Sequence, residues 1–105
     1  MTFTSHIREH MQICPDTLSE DVEPRLMFLT LALAGEVGEL ANLMKKEWRD
    51  GHEPTRTVKI AEEMGDIYNY LHMLAVTVGV DLEHEAALKL DHFEKRPENA
   101  HRFVK

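Results

Sequence analysis

A chain of 105 residues, 43% of them hydrophobic, has the size of a single domain covering residues 1–105. Its 19 acidic and 12 basic residues give a formal net charge of −7. That balance argues against a binder of duplex nucleic acid, which normally presents a basic face, but leaves room for a nucleotide whose phosphates are bridged to acidic residues by a metal.

The single cysteine, Cys14, cannot close an intramolecular disulfide, in keeping with a reducing compartment. The segment Met1 to His6 lacks the basic-then-apolar pattern of a secretory signal. The longest uninterrupted apolar runs fall short of the about 20 residues that span a bilayer. The expectation is a soluble cytoplasmic protein without a membrane partner.

Hydrophobic periodicity predicts helices throughout. A first amphipathic helix runs from about Thr4 to Ile13. Pro15 and Asp16 interrupt it, and Thr17-Leu18-Ser19-Glu20 has the form of a capping box. Pro24 suits the first turn of a long helix. Leu26, Leu29, Leu33, Val37, Leu40, Met44 and Trp48 form its expected core stripe, and Gly51 its left-handed end.

Pro54 and Thr55 open a second long helix. Its expected stripe is Val58, Ala61, Met64, Ile67, Leu71, Leu74 and Val78, and Gly79 ends it. Asp81 is a good N-cap for a last helix carrying Leu82, Ala86, Leu88 and Phe93, which Pro97 stops. The tail to Lys105 is polar and free to fray or to exchange with a partner chain. The fold class is all-α: a helical bundle with two long central helices, completed by oligomerisation because so short a chain has little with which to cover them.

Two acidic pairs stand out. Glu36 and Glu39 lie in Gly35-Glu36-Val37-Gly38-Glu39-Leu40; Glu63 and Asp66 lie in Glu63-Met64-Gly65-Asp66-Ile67. Spacing of three places each pair on one helix face. Acids on a helix are commonly a solvated face. These two glutamates, however, interrupt a stretch, Leu26 to Met44, whose only other polar side chains are Thr30 and Asn42. Gly35, Gly38 and Gly65, each costing about 1 kcal/mol in a helix relative to alanine, suggest space or close helix approach beside the acids. Four converging carboxylates repel one another unless protons or a cation neutralise them. A hard cation such as Mg²⁺ suits an all-oxygen set and leaves positions for water and phosphates.

The two pairs, in this order on consecutive helices, resemble the paired motif of the all-α nucleoside triphosphate pyrophosphatases, the MazG-like superfamily. The likeness runs from about Phe28 to Arg96 and takes in Val80-Asp81-Leu82, Lys89 and Arg96. It implies hydrolysis of a nucleoside triphosphate to its monophosphate and pyrophosphate, dependent on Mg²⁺ or on Mn²⁺ in its place. It implies Glu36, Glu39, Glu63 and Asp66 as metal ligands, with Glu36 doubling as base for the attacking water. Tyr70, Lys89 and Arg96 are implied as substrate contacts, and a homodimer or homotetramer as the assembly. Phe93 stands where the family commonly has asparagine, and Gly35 where some members have another glutamate. The substrate end of the site is thereby left open.

Other features carry less. Trp48 continues an apolar stripe and reads as core or subunit interface rather than a base-stacking platform. Met27, Met44, Met64 and Met73 read as core filler. Lys45, Lys46, Arg49, Arg56 and Lys59 flank the turn between the central helices and read as its solvated surface, although they could guide an anion. His6 and His10 lack a third ligand, and Asp81-x-x-His84 and Glu98-x-x-His101 do not fit a di-iron bundle. Two alternatives stay open on the motif: a phosphoribosyl-ATP pyrophosphatase, and a noncatalytic helical module that binds nucleotide or metal.

Overall fold

The computed structural model describes residues 2–13 and 22–99. The capping box at Thr17 to Glu20 and the tail beyond Asn99 lie outside the described residues. The described chain comprises α1 (Phe3–Ile13), α2 (Val22–Asp50), α3 (Pro54–Val78) and α4 (Leu82–Lys95), then a 3-10 turn at Pro97–Asn99. No strand occurs among the described residues, so the all-α expectation holds.

The predicted punctuation marks the ends. Gly51 takes φ +87° just past α2, a backbone region that other residues rarely adopt. Pro54 is the first residue of α3, where its missing N–H removes nothing from the helix. Gly79, at φ +76°, turns the chain out of α3, and the Val80 N–H returns to the Ala75 carbonyl at 2.8 Å. Asp81 caps α4, its Oδ1 accepting from the His84 N–H at 3.1 Å.

α2 and α3 form an antiparallel hairpin, and its seam is displaced from the predicted stripes. The covered positions of α2 step through Leu26, Leu29, Leu33, Glu36, Leu40, Leu43 and Glu47. Those of α3 step through Arg56, Ile60, Glu63, Ile67, Tyr70 and Leu74. Alternating steps of three and four keep one narrow face of each helix on the other. The expected core members Val37, Met44 and Trp48 are exposed instead, Trp48 by 88%. Val58, Met64, Leu71 and Val78 of α3 are exposed as well. Of the four methionines read as core filler, only Met73 is buried. Both helices are apolar on two sides, and one partner helix covers only one side; periodicity alone cannot say which.

A polar clamp fixes the hairpin at its turn. Arg56 Nη1 donates to Glu47 Oε1 at 3.1 Å and to the Gly51 carbonyl at 2.9 Å. The Glu53 N–H donates to the same Glu47 oxygen at 3.1 Å, and His52 Nδ1 lies 3.2 Å from the other. Burial pushes the Glu47 carboxyl up, but the Glu53 N–H, His52 and Arg56 outweigh it and hold it below the usual range. Arg56, expected to be turn surface, thus sets the register of α3 against α2.

α1 lies on α3 at the other end of the hairpin. Ile7, Leu29 and Met73 form the buried cluster there, with Met11, Tyr70 and Leu74 packed around it. The Phe3 ring meets Tyr68 and His72 at centroid distances of 5.2 and 4.9 Å, and Thr4 Oγ1 lies 2.9 Å from His72 Nε2. Leu29 is fully enclosed. Leu29→Ala is therefore expected to cost about 2–5 kcal/mol, read from urea denaturation. A loss under about 1 kcal/mol would mean that this cluster does not hold the fold.

The radius of gyration is 17.2 Å, against about 13 Å for a compact chain of this length. Much of α2 accordingly stays uncovered. Its most apolar window has a mean hydropathy of 1.4, long and apolar enough on those grounds to cross a membrane. Its uninterrupted apolar runs are nonetheless short. The interruptions are Glu36 and Glu39, in mid-helix.

Candidate functional site

Glu36 and Glu63 occupy seam positions where an apolar side chain would ordinarily sit, and Glu39 is one turn along α2 at the seam's edge. One carboxylate oxygen from each of the three lies within 4.8 Å of the others. Oε2 of Glu36 and Oε2 of Glu63 are buried and have no hydrogen-bond partner. The Glu63 carboxyl is pushed up to about 7. The first cause is the nearby Glu36 carboxylate, toward which a protonated Glu63 could donate; burial, the Glu36 charge and Glu39 add to it. Buried polar atoms are ordinarily satisfied, so these oxygens call for a proton or a cation between them. The donor set is all oxygen, the set that hard divalent cations take.

The remaining predicted residues are distributed unevenly. Asp66 is exposed on α3, one turn beyond Glu63 and outside the group of three. Tyr70 is half-buried on the seam two turns from Glu63, its ring against the Ile7–Leu29–Met73 cluster. Lys89 is exposed on α4. Arg96 follows the last residue of α4, its guanidinium 5.8 Å from the Phe93 ring centroid. α4 packs chiefly against the 3-10 turn and at most marginally against α1–α3. The chain by itself thus unites three of the four acids and leaves both cations apart, on α4 and just past its end.

The glycines do not bring α2 and α3 together. A methyl group built at Gly35, Gly38 or Gly65 would meet nothing within 4 Å. Of the two expectations, space and close helix approach, it is space that flanks the carboxylates among the described residues. A groove of about 370 Å³ adjoins them, lined by Glu39, Asn42, Leu43, Lys59, Glu62 and Glu63. A larger cavity, about 470 Å³, lies where α1 meets the end of α3, beside Phe3, Arg8 and Gly79. It contains none of the three carboxylates. Asn42 and Lys59 had been read only as part of a stretch or a turn; aligning the two seams would have placed them beside the acids.

Residues 26–101 match the MazG nucleotide pyrophosphohydrolase domain, a stretch that takes in most of α2 and all of α3 and α4. The chain is also similar to dCTP pyrophosphatase 1 of Bos taurus, 39% identical over 75 residues, covering 65% of this chain and 43% of the relative. The proteins of the same name from Mus musculus and Homo sapiens are each 39% identical over 70 residues, covering 60% of this chain and 40% of the relative. The chain spans about two fifths of the length of these curated relatives.

Proposed function

We propose, because the chain belongs to the MazG nucleotide pyrophosphohydrolase family, that it hydrolyses a nucleoside or deoxynucleoside triphosphate to the monophosphate and pyrophosphate at the α2–α3 seam. The observation that carries this reading is the convergence of three carboxylates with two buried, partnerless oxygens. Glu36, Glu39 and Glu63 would hold a divalent cation, Mg²⁺ or Mn²⁺, and Asp66, one turn along α3, would join them. Such a cation supplies charge neutralisation to the triphosphate.

The chain's own residues account for the rest. Water attacks the α-phosphorus, the α–β phosphoanhydride bond breaks, and pyrophosphate leaves. The water's proton passes to the Glu36 carboxylate, held against the seam where bulk water does not compete. Open ground beside Gly35, Gly38 and Gly65 admits the substrate. Tyr70, Lys89 and Arg96 are assigned to substrate contact, the last two by movement of α4 or from another copy. The test is a panel of triphosphates with Mg²⁺, headed by dCTP, the substrate in the relatives' name, and including phosphoribosyl-ATP. Pyrophosphate and the monophosphate are the expected products. A folded chain that releases pyrophosphate from none of them sinks the reading, and calorimetric binding without product would establish a noncatalytic module.

We further propose a homodimer or homotetramer, working in the cytoplasm, with neither duplex nucleic acid nor a membrane as partner. The second apolar stripes of α2 and α3 support this assembly, since a surface of that kind ordinarily marks an interface. Met44 is 47% exposed in the single chain, so Met44→Asp should leave a monomer folded while splitting the assembly. Sedimentation is expected to show a lower mass for the variant at unchanged helicity. A wild-type chain that sediments as a monomer removes the proposal.

A further inference from the structure

The groove beside the carboxylates contains one cation, Lys59, on α3 one turn before Glu63. Three acids share that groove: Glu39, Glu62 and Glu63. A lysine among three carboxylates would ordinarily pair with one of them. Lys59 forms no ion pair with any of the three. Asn42, from α2, also lines the groove, and its amide has no hydrogen-bond partner among the described residues. One cation and one amide, both uncommitted, thus adjoin the proposed cation-holding acids. The two cations expected to meet phosphate, Lys89 and Arg96, are on α4 and just past its end, and α4 scarcely touches the hairpin.

We infer that Lys59 and Asn42 form the subsite for the β- and γ-phosphates, the part of the substrate that leaves as pyrophosphate. The inference rests on the pyrophosphohydrolase reading above. The chemistry is that of a compact ammonium with three donors on a flexible four-carbon stem. It meets the two terminal phosphates, where most of the triphosphate's negative charge lies, while a cation held by the carboxylates would neutralise further charge on the triphosphate. The Asn42 amide donates to a phosphate oxygen from the opposite helix. Placing the groove's cation on α3 keeps it on the same rigid element as Glu63, so the two ends of the triphosphate are held in one register. A second effect follows: the product pyrophosphate shares this subsite and competes with the substrate, whereas the monophosphate does not occupy it.

The experiment uses the full chain with Mg²⁺ and compares wild type with Lys59→Met, Lys59→Arg and, as a control for net charge, Lys45→Met outside the groove. Three quantities are read: KM for the turned-over triphosphate, the inhibition constant of pyrophosphate, and the dissociation constant of pyrophosphate by calorimetry. Loss of one charge-assisted contact is expected to raise all three about tenfold in Lys59→Met. Negative charge gathers on the leaving pyrophosphate as the α–β bond breaks, so kcat should fall as well in Lys59→Met. Lys59→Arg should keep the wild-type values within about twofold, as should Lys45→Met, and monophosphate inhibition should be unaltered by Lys59→Met. Unchanged pyrophosphate affinity in Lys59→Met overturns the subsite. An equal rise in Lys45→Met also overturns it, because the effect would then belong to net charge. A wild-type chain that turns over no triphosphate fails the function reading instead, and that outcome is separate from either.

Discussion

Glu63→Gln is expected to remove turnover, by on the order of 10²-fold or more, while raising the melting temperature of the metal-free chain at pH 8. The two effects have one cause. Glu63 occupies a seam position opposite Glu36, and the two carboxylates have buried oxygens with no partner. Above pH 7 the Glu63 carboxyl, pushed up to about 7, ionises against Glu36 and Glu39, and the hairpin is strained by like charge. Glutamine has the same shape, does not ionise, and can donate its amide to Glu36. The repulsion disappears, and with it a negative oxygen needed to hold a cation. Near pH 5.5 wild-type Glu63 already carries its proton, so the stability gain should shrink there. Glu36→Gln should show the same loss of rate, with circular dichroism unchanged for both. Retained turnover in both variants would take the seam carboxylates out of the mechanism. A variant that loses stability as well as activity would mean that the acids hold the hairpin together, the reverse of the electrostatics described.

The seam also shows how far residue patterns reach. Helix ends were legible because Gly51, Pro54, Gly79 and Asp81 act locally, through φ preferences, a missing N–H and a cap. The acidic pairs were legible because carboxylates inside an apolar stretch demand compensation. The side of each helix that meets the other was not, because α2 and α3 are apolar on two sides. The chosen stripes ran through Val37, Met44 and Met64, which face outward. The glutamates themselves belonged to the buried seam. Arg56 was misread for the same reason: a charged residue near a turn looks like surface until the register puts it opposite Glu47, 3.1 Å away. Asp66 was read as the equal of Glu63, yet it is exposed one turn beyond. Its spacing fixed a face but not a depth. Lys89 and Arg96 depend on where α4 goes after the Gly79 turn, and that is a tertiary matter.

Without divalent cation, the melting temperature of the wild-type chain should fall as pH rises from about 5 to 8, and adding Mg²⁺ should reverse the fall. The folded chain keeps the Glu63 proton up to about pH 7, whereas an unfolded glutamate releases it near 4.5. Between those values the folded state binds more protons than the unfolded one, so stability declines with rising pH. The contribution is complete below the unfolded value and gone above the folded one. A cation works in the opposite sense: it needs the carboxylate ionised, so its binding releases the proton and its stabilising effect grows toward pH 8. Two measurements separate this from the titration of the seven histidines in the sequence. The first is the difference in melting temperature between wild type and Glu63→Gln across pH, in which histidine contributions cancel. The second is calorimetry of Mg²⁺ binding near pH 6 in buffers of different ionisation enthalpy, where the observed heat should vary with buffer as a proton is released. A difference curve that stays flat from pH 5 to 8 would mean that Glu63 titrates in its ordinary range. The partnerless oxygens of the seam would then be satisfied by something other than a shared proton.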